Sequence, residues 1–202
     1  LELPPGVHPK FGMQTHEQKI LSTLAYADTS LKTFLNNYQK QHWKYPTLFI
    51  LEADHVARIT GVSDAKQYFI PFLMFSSDGS IKPTKLNRMV SQRDIAPTII
   101  NKLGGYIPWF SGKSMLIKTN NPYFSDYYTN NQLGWYQGHN LTVINLENKK
   151  ITCYKAPKDM DQRHPVQCSQ AAQKRAQQAL AFTRYNQRLI FSGKTTQFGR
   201  FH

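Results

Sequence analysis

Leu48-Phe49-Ile50-Leu51-Glu52-Ala53-Asp54-His55-Val56-Ala57-Arg58 is the stretch on which the fold turns. Its apolar run predicts a strand over about 47–53 that is apolar on both faces, the pattern of an interior strand in a covered, mostly parallel sheet. In open α/β sheets ligands gather outside the carboxyl ends of the strands. There this sequence delivers an acid, an imidazole and a guanidinium in quick succession. Asp54 and His55 are candidate metal ligands, the carboxylate supplying charge and the imidazole a borderline-soft nitrogen suited to zinc or manganese. Neighbouring residues on a strand point to opposite faces, so this pair can converge only where the chain turns beyond the strand end. Arg58 is a candidate phosphate clamp through paired, charge-assisted hydrogen bonds, and Lys66 a weaker one. The plainer reading of each is a charged or polar side chain in a long surface loop.

Upstream, Thr15-His16-Glu17-Gln18 reads as a capping box, with Thr15 at the N-cap and Gln18 three positions on. Ile20, Leu24, Ala27, Leu31, Phe34, Leu35 and Tyr38 then fall on one helical face, so a helix is predicted over 16–40. Downstream, Phe69-Ile70-Pro71-Phe72-Leu73-Met74-Phe75 is a second apolar strand; Pro71 cannot donate to a ladder and belongs at its start or edge. Residues 76–88 form a polar loop. A compact helix follows over 94–103, with Asp94 as its cap, Pro97 in its first turn and Gly104 at the left-handed terminating position. Residues 119–132 are crowded with Asn and Tyr and show no period.

From 135 the character changes to β. Leu141–Leu146 and Lys150–Tyr154, separated by Glu147-Asn148-Lys149, predict an antiparallel hairpin. Ser169 then caps a terminal helix over about 170–191. The whole is an α/β pattern. It is read as one unit over 1–202, with an α/β part over 1–118 and a hairpin plus C-terminal helix over 119–202.

At 202 residues and 40% hydrophobic the chain can bury a proper core. No apolar run reaches the roughly 20 residues of a membrane span, and residues 1–6 lack the features of a signal peptide. The formal charge of +13 is unevenly placed: Asp161 is the last acid, and Arg163, Lys174, Arg175, Arg184, Arg188, Lys194 and Arg200 follow it. Such a field favours polyanions, namely nucleic acid, anionic lipid or phosphorylated substrate; the alternative is a solvated basic helix face. No RNA-recognition or zinc-finger signature accompanies it, so no nucleic-acid partner is expected. Cys153 and Cys168 are either a bonded pair or two thiols on residue pattern alone. Gly112-Lys113-Ser114 ends like a phosphate-binding loop, but Ile107 stands where that loop requires glycine. Asn140-Leu141-Thr142 matches a glycosylation tripeptide of low specificity.

Five segments in order over residues 15–117 together resemble the C-terminal part of the sulfatase and lipoteichoic acid synthase branch of the alkaline phosphatase superfamily. These are the helix with Leu24-Ala25-Tyr26-Ala27-Asp28; Leu48–His55, similar to a "TADH" strand end with Glu52 in place of a small residue; Phe69-Ile70-Pro71; Ser91-Gln92-Arg93-Asp94 through Pro97-Thr98-Ile99-Ile100; and Gly112-Lys113-Ser114-Met115-Leu116. The resemblance implies part of an alkaline-phosphatase-like sheet flanked by helices. It also implies that Asp54 and His55 bind one divalent metal ion, zinc or manganese, completed by ligands outside this chain, and that Arg58 contacts substrate.

Val56 stands where sulfatases carry Gly after the His, which points away from sulfate esters and towards phosphoglycerol or phosphoethanolamine groups. Gln67 occupies a position where some relatives carry His. The family's nucleophile lies upstream of the first helix, so no catalytic nucleophile is expected in this chain, which should lack turnover alone. The expected parent is a phosphotransferase or hydrolase acting on phospholipid or other phosphodiesters. Its partners are the N-terminal half of the same protein and, through an upstream segment, the membrane. The location expected is the periplasmic or extracellular face of the inner membrane, which favours a Cys153–Cys168 disulfide. The alternative is a non-catalytic envelope module binding anionic lipid head groups, with a vestigial metal site.

Overall fold

The computed structural model describes residues 2–56, 65–107, 110–119, 123–155 and 164–193. Two compact units emerge, Leu1–Ala57 with Ile70–Pro83 and Arg58–Phe69 with Thr84–His202.

The first unit is one helix on a two-stranded sheet. Helix α1 (His16–Gln39) opens with the expected capping box: the Thr15 hydroxyl accepts from Gln18 N–H, and the Gln18 side chain accepts from Thr15 N–H. Such a cap is worth about 1 kcal/mol. The entry segment is fastened by Ser22, buried on α1, whose hydroxyl accepts from Phe11 N–H at 3.0 Å and donates to the Gly12 carbonyl at 2.9 Å.

Strand β1 (Leu48–Glu52) pairs with β2 (Phe72–Ser76), and Phe49 is the packing centre. Phe49 stacks on its cross-strand partner Phe75 at 4.8 Å and receives Phe34 and Tyr38 of α1 edge-on at 6.4 and 4.8 Å. Aromatic pairs of this kind contribute about 0.5–1.5 kcal/mol each beyond area burial. The interior, mostly parallel setting expected for β1 is not what the described residues show: the β1–β2 pairing is antiparallel, in a sheet of two strands. Apolarity on both faces is common to both settings, and only the partner strand's direction separates them. Pro71 sits just before β2, where it needs to donate nothing, and its carbonyl accepts from Ala53 N–H.

The first element among the described residues of the second unit is a 3-10 turn (Lys66–Tyr68). Another (Gln92–Asp94) leads into helix α2 (Ile95–Lys102), and Gly104 terminates it at φ +81° as expected. The sheet that follows is an antiparallel meander: β3 (Phe124–Thr129), β4 (Gln132–Gln137), β5 (Asn140–Asn145), β6 (Ile151–Lys155) and β7 (Pro165–Val166).

The stretch without periodicity therefore contains β3. Asn130 and Asn131, with φ of +45° and +58°, make a two-residue turn into β4. Asn tolerates the left-handed region, and such turns suit the twist of a hairpin. The predicted hairpin is β5–β6, paired Ile144 to Ile151 through Asn140 to Lys155.

Side chains alternate across this sheet with period two. Leu133, Trp135 and Ile144 face helix α3 (Gln170–Phe191), meeting Ala176 and Ala179; Tyr127, Tyr136, Leu141 and Val143 pack on the other face with Ala65 and Met89. Small residues at 172, 176 and 179 let α3 lie close against the strands. Ser169 caps α3, its hydroxyl accepting from Ala172 N–H at 3.3 Å. Cys153 and Cys168 are disulfide-bonded with Cα atoms 5.4 Å apart, tying β6 to the segment that enters α3.

Candidate metal centre

Strand β1 ends at Glu52, and the chain then turns, so Asp54 and His55 are not held on opposite faces of a pleat. Asp54 Oδ1 accepts from the backbone N–H of His55 at 2.9 Å, which orients the carboxylate. His55 Nδ1 lies 3.0 Å from the Val56 carbonyl; carrying its proton there, the ring leaves the Nε2 lone pair outward. His55 Nε2 and Asp54 Oδ2 are 3.6 Å apart, and the two side chains are 80% and 88% exposed.

The pair meets the requirements of a divalent ion in part. Two donors each about 2.0–2.2 Å from a tetrahedral ion stand about 3.3–3.6 Å from one another, and a carboxylate with an imidazole suits zinc or manganese. Among the described residues no group of three or more His, Cys, Asp or Glu side chains is gathered closely enough to hold a metal. A full ligand set therefore needs donors from outside them.

Arg58, the candidate phosphate clamp, lies outside the described residues. Lys66 opens the 3-10 turn of the second unit, whereas Asp54 and His55 belong to the first.

The other motif-bearing segments form a structural lock. Asp94 occupies the first position before α2, as expected, but its carboxylate makes no cap bond to that helix. Buried at 3% exposure, it accepts Ser91 N–H at 2.9 Å and Lys113 N–H at 2.8 Å. Thr98 Oγ1 donates to the Asp94 carbonyl and accepts Met115 N–H at 2.8 Å, and Ser114 Oγ reaches Asn101 Oδ1 at 3.0 Å. Gly112 fits against the Arg93 backbone so tightly that a Cβ would lie 1.9 Å from its carbonyl oxygen. The Gly-Lys-Ser segment thus presents its amide to a carboxylate and closes against α2 instead of cradling a phosphate.

Arg93 continues the lock into the sheet. It pairs with Asp126, donates to the Phe124 carbonyl at 3.0 Å and lies over the Phe124 ring at 4.2 Å. Tyr68 OH donates to the Tyr128 carbonyl at 2.8 Å, so two side chains occupy backbone acceptors of β3, one of the two edge strands. Such cover blunts an edge against pairing with another chain. Sequence reasoning missed this role of Asp94 and Arg93, because the acceptor and donor groups involved lie on backbone far along the chain. The Asn130-Asn131 dipeptide was the available signal for β3.

Comparison with known proteins supplies the frame for these observations. The family model described as Sulfatase matches residues 8–106. A crystal structure of a protein in the alkaline phosphatase superfamily from Vibrio parahaemolyticus aligns over 91% of this chain with TM-score 0.73 and 21% sequence identity. The alignment spans 45% of that protein, so this chain corresponds to less than half of its length. The superfamily is one of hydrolases and phosphotransferases, and its members are generally metal-dependent. Residues 8–106 are thus similar to the Sulfatase family model, and the fold of the chain is like that of part of the Vibrio protein.

Proposed function

We propose that this chain contributes the Asp54–His55 half of a metal site in an envelope phosphotransferase or hydrolase that acts on phosphodiesters carrying phosphoglycerol or phosphoethanolamine groups. The observation that supports it most is the convergence of Asp54 Oδ2 and His55 Nε2 to 3.6 Å just beyond β1, with His55 Nδ1 held by the Val56 carbonyl. When bound, the ion supplies Lewis-acid polarisation of a phosphoryl oxygen and lowers the pKa of an attacking hydroxyl. Asp54 offsets the ion's charge and His55 fixes its direction, while Arg58 stabilises charge developing on the phosphoryl oxygens. The nucleophile and the remaining ligands belong to residues outside this chain. The periplasmic or extracellular face of the inner membrane is the location proposed, and the Cys153–Cys168 disulfide supports an oxidising compartment.

The test is paired. In the parent protein, Asp54→Ala and His55→Ala should each remove stoichiometric zinc or manganese and lower turnover of a p-nitrophenyl phosphodiester by at least about a hundredfold, with folding intact. The 202-residue chain alone should show no turnover. Hydrolysis by this chain that His55→Ala abolishes, or full metal content in both variants, would overturn the reading.

A further inference from the structure

We infer that the outer face of α3 is a docking surface for an anionic lipid bilayer. Helix α3 carries no acidic residue over its 22 positions. Its buried line of Ala172, Ala176 and Ala179 faces the sheet, and Arg175 joins that side by donating from Nε to Thr142 Oγ1 at 3.3 Å. On the opposite side Lys174, Arg184, Tyr185, Arg188 and Phe191 are all exposed. At about 100° per residue they share an arc of roughly 120°. Tyr185 is 63% exposed and Phe191 86%.

A solvated basic face accounts for the cations; the exposed rings of Tyr185 and Phe191 add apolar surface on the same arc, towards the end of the helix. An anionic surface accounts for both. Cations gather at its negative potential, and rings partition into the boundary between head groups and acyl chains. Neither α3 nor any other described helix is long and apolar enough to cross a membrane, so the contact is one of lying on the surface. The inference stands independently of the metal reading, because no residue of the arc belongs to the Asp54–His55 site.

Sedimentation of the chain with vesicles of phosphatidylglycerol and phosphatidylcholine mixed one to two, against pure phosphatidylcholine, tests it. Binding to the mixed vesicles should exceed binding to phosphatidylcholine by more than about tenfold and weaken with added salt. Arg184→Gln with Arg188→Gln should lower it by about twentyfold or more, Phe191→Ser by severalfold, and Arg184→Lys with Arg188→Lys should preserve it. Far-UV circular dichroism of each variant confirms the helix, and the Lys pair keeps the test decisive if the Gln pair unfolds. Equal partition into both vesicle types, or full binding by the Gln pair, overturns the inference. So does retention on a DNA column with the same variant dependence and no vesicle binding, which would make the face a general polyanion surface.

Discussion

The carboxylate of Asp94 accepts the backbone N–H of Lys113 at 2.8 Å across 19 positions of sequence. Through that bond and its partner from Ser91, two segments that carry the family resemblance hold each other in place. A buried carboxylate with two backbone donors is a strong acceptor, and its removal leaves both donors without a partner.

Asp94→Ala should therefore destabilise the second unit by about 2–6 kcal/mol, at about 1–3 kcal/mol for each buried donor left unsatisfied. Asp94→Asn, which retains one acceptor oxygen, should lose about half as much. Urea denaturation followed by circular dichroism measures both; a shift of under about 0.5 kcal/mol for Asp94→Ala would contradict the structural role.

Gly134 lies directly beneath Tyr127, its cross-strand partner: a Cβ there would stand 2.0 Å from a ring carbon. Gly134→Ala should cost about 1–3 kcal/mol or more by overpacking. In combination with Tyr127→Leu the penalty of the Ala substitution should shrink, and a double-mutant cycle reads that coupling. Additive effects would show that the ring and the glycine do not meet.

The disulfide closes a 15-position separation between Cys153 and Cys168. Loop-closure entropy assigns a bridge of that span about 3 kcal/mol. Unfolding midpoints with and without reductant should differ accordingly, and Cys153→Ser with Cys168→Ser should match the reduced protein. Equal midpoints would make the bridge energetically idle.

Asp78, in the turn after β2, has its pKa lowered from 3.8 to about 2 by the Ser80 backbone N–H first and then by the Ser76 and Ser80 side chains. A depressed carboxylate stabilises the fold above its unfolded value and loses that contribution as pH falls through the folded one. The turn should accordingly be intact above about pH 4 and loosen towards pH 2. An NMR titration of the Asp78 carboxyl and the Ser80 amide should show a common midpoint near 2; a midpoint at 3.8 would mean that the hydrogen bonds do not persist in solution.

Local signals proved sufficient where the physics is local. The Thr15 capping box, the Ser169 cap and the Gly104 terminator each depend on residues within a turn of one another, and each stands in the structure as read, whereas of the apolar face expected on α1 Leu24, Ala27 and Phe34 are exposed. The β5–β6 hairpin was legible because its strands adjoin. Strand β3 was not: Tyr127 and Tyr128 read as polar clutter, and the burial of Tyr127 and the pairing of both depend on β4 and on Tyr68, which stacks on Tyr127 at 5.0 Å. The candidate site divides in the same way. Asp54 and His55 could be named from their place after an apolar run, while their approach to 3.6 Å depends on where β1 stops pairing.

The sequence by itself determined the helices, the hairpin, the basic C-terminal helix face and the chemistry available at positions 54 and 55, because composition and period act over a few residues. Only the tertiary structure decided that β1 runs antiparallel to β2, that Asp94 locks Lys113 instead of capping a helix, and which face of α3 remains in solvent. Those outcomes rest on which distant backbone groups and surfaces meet, and a chain carries no local mark of its remote partners.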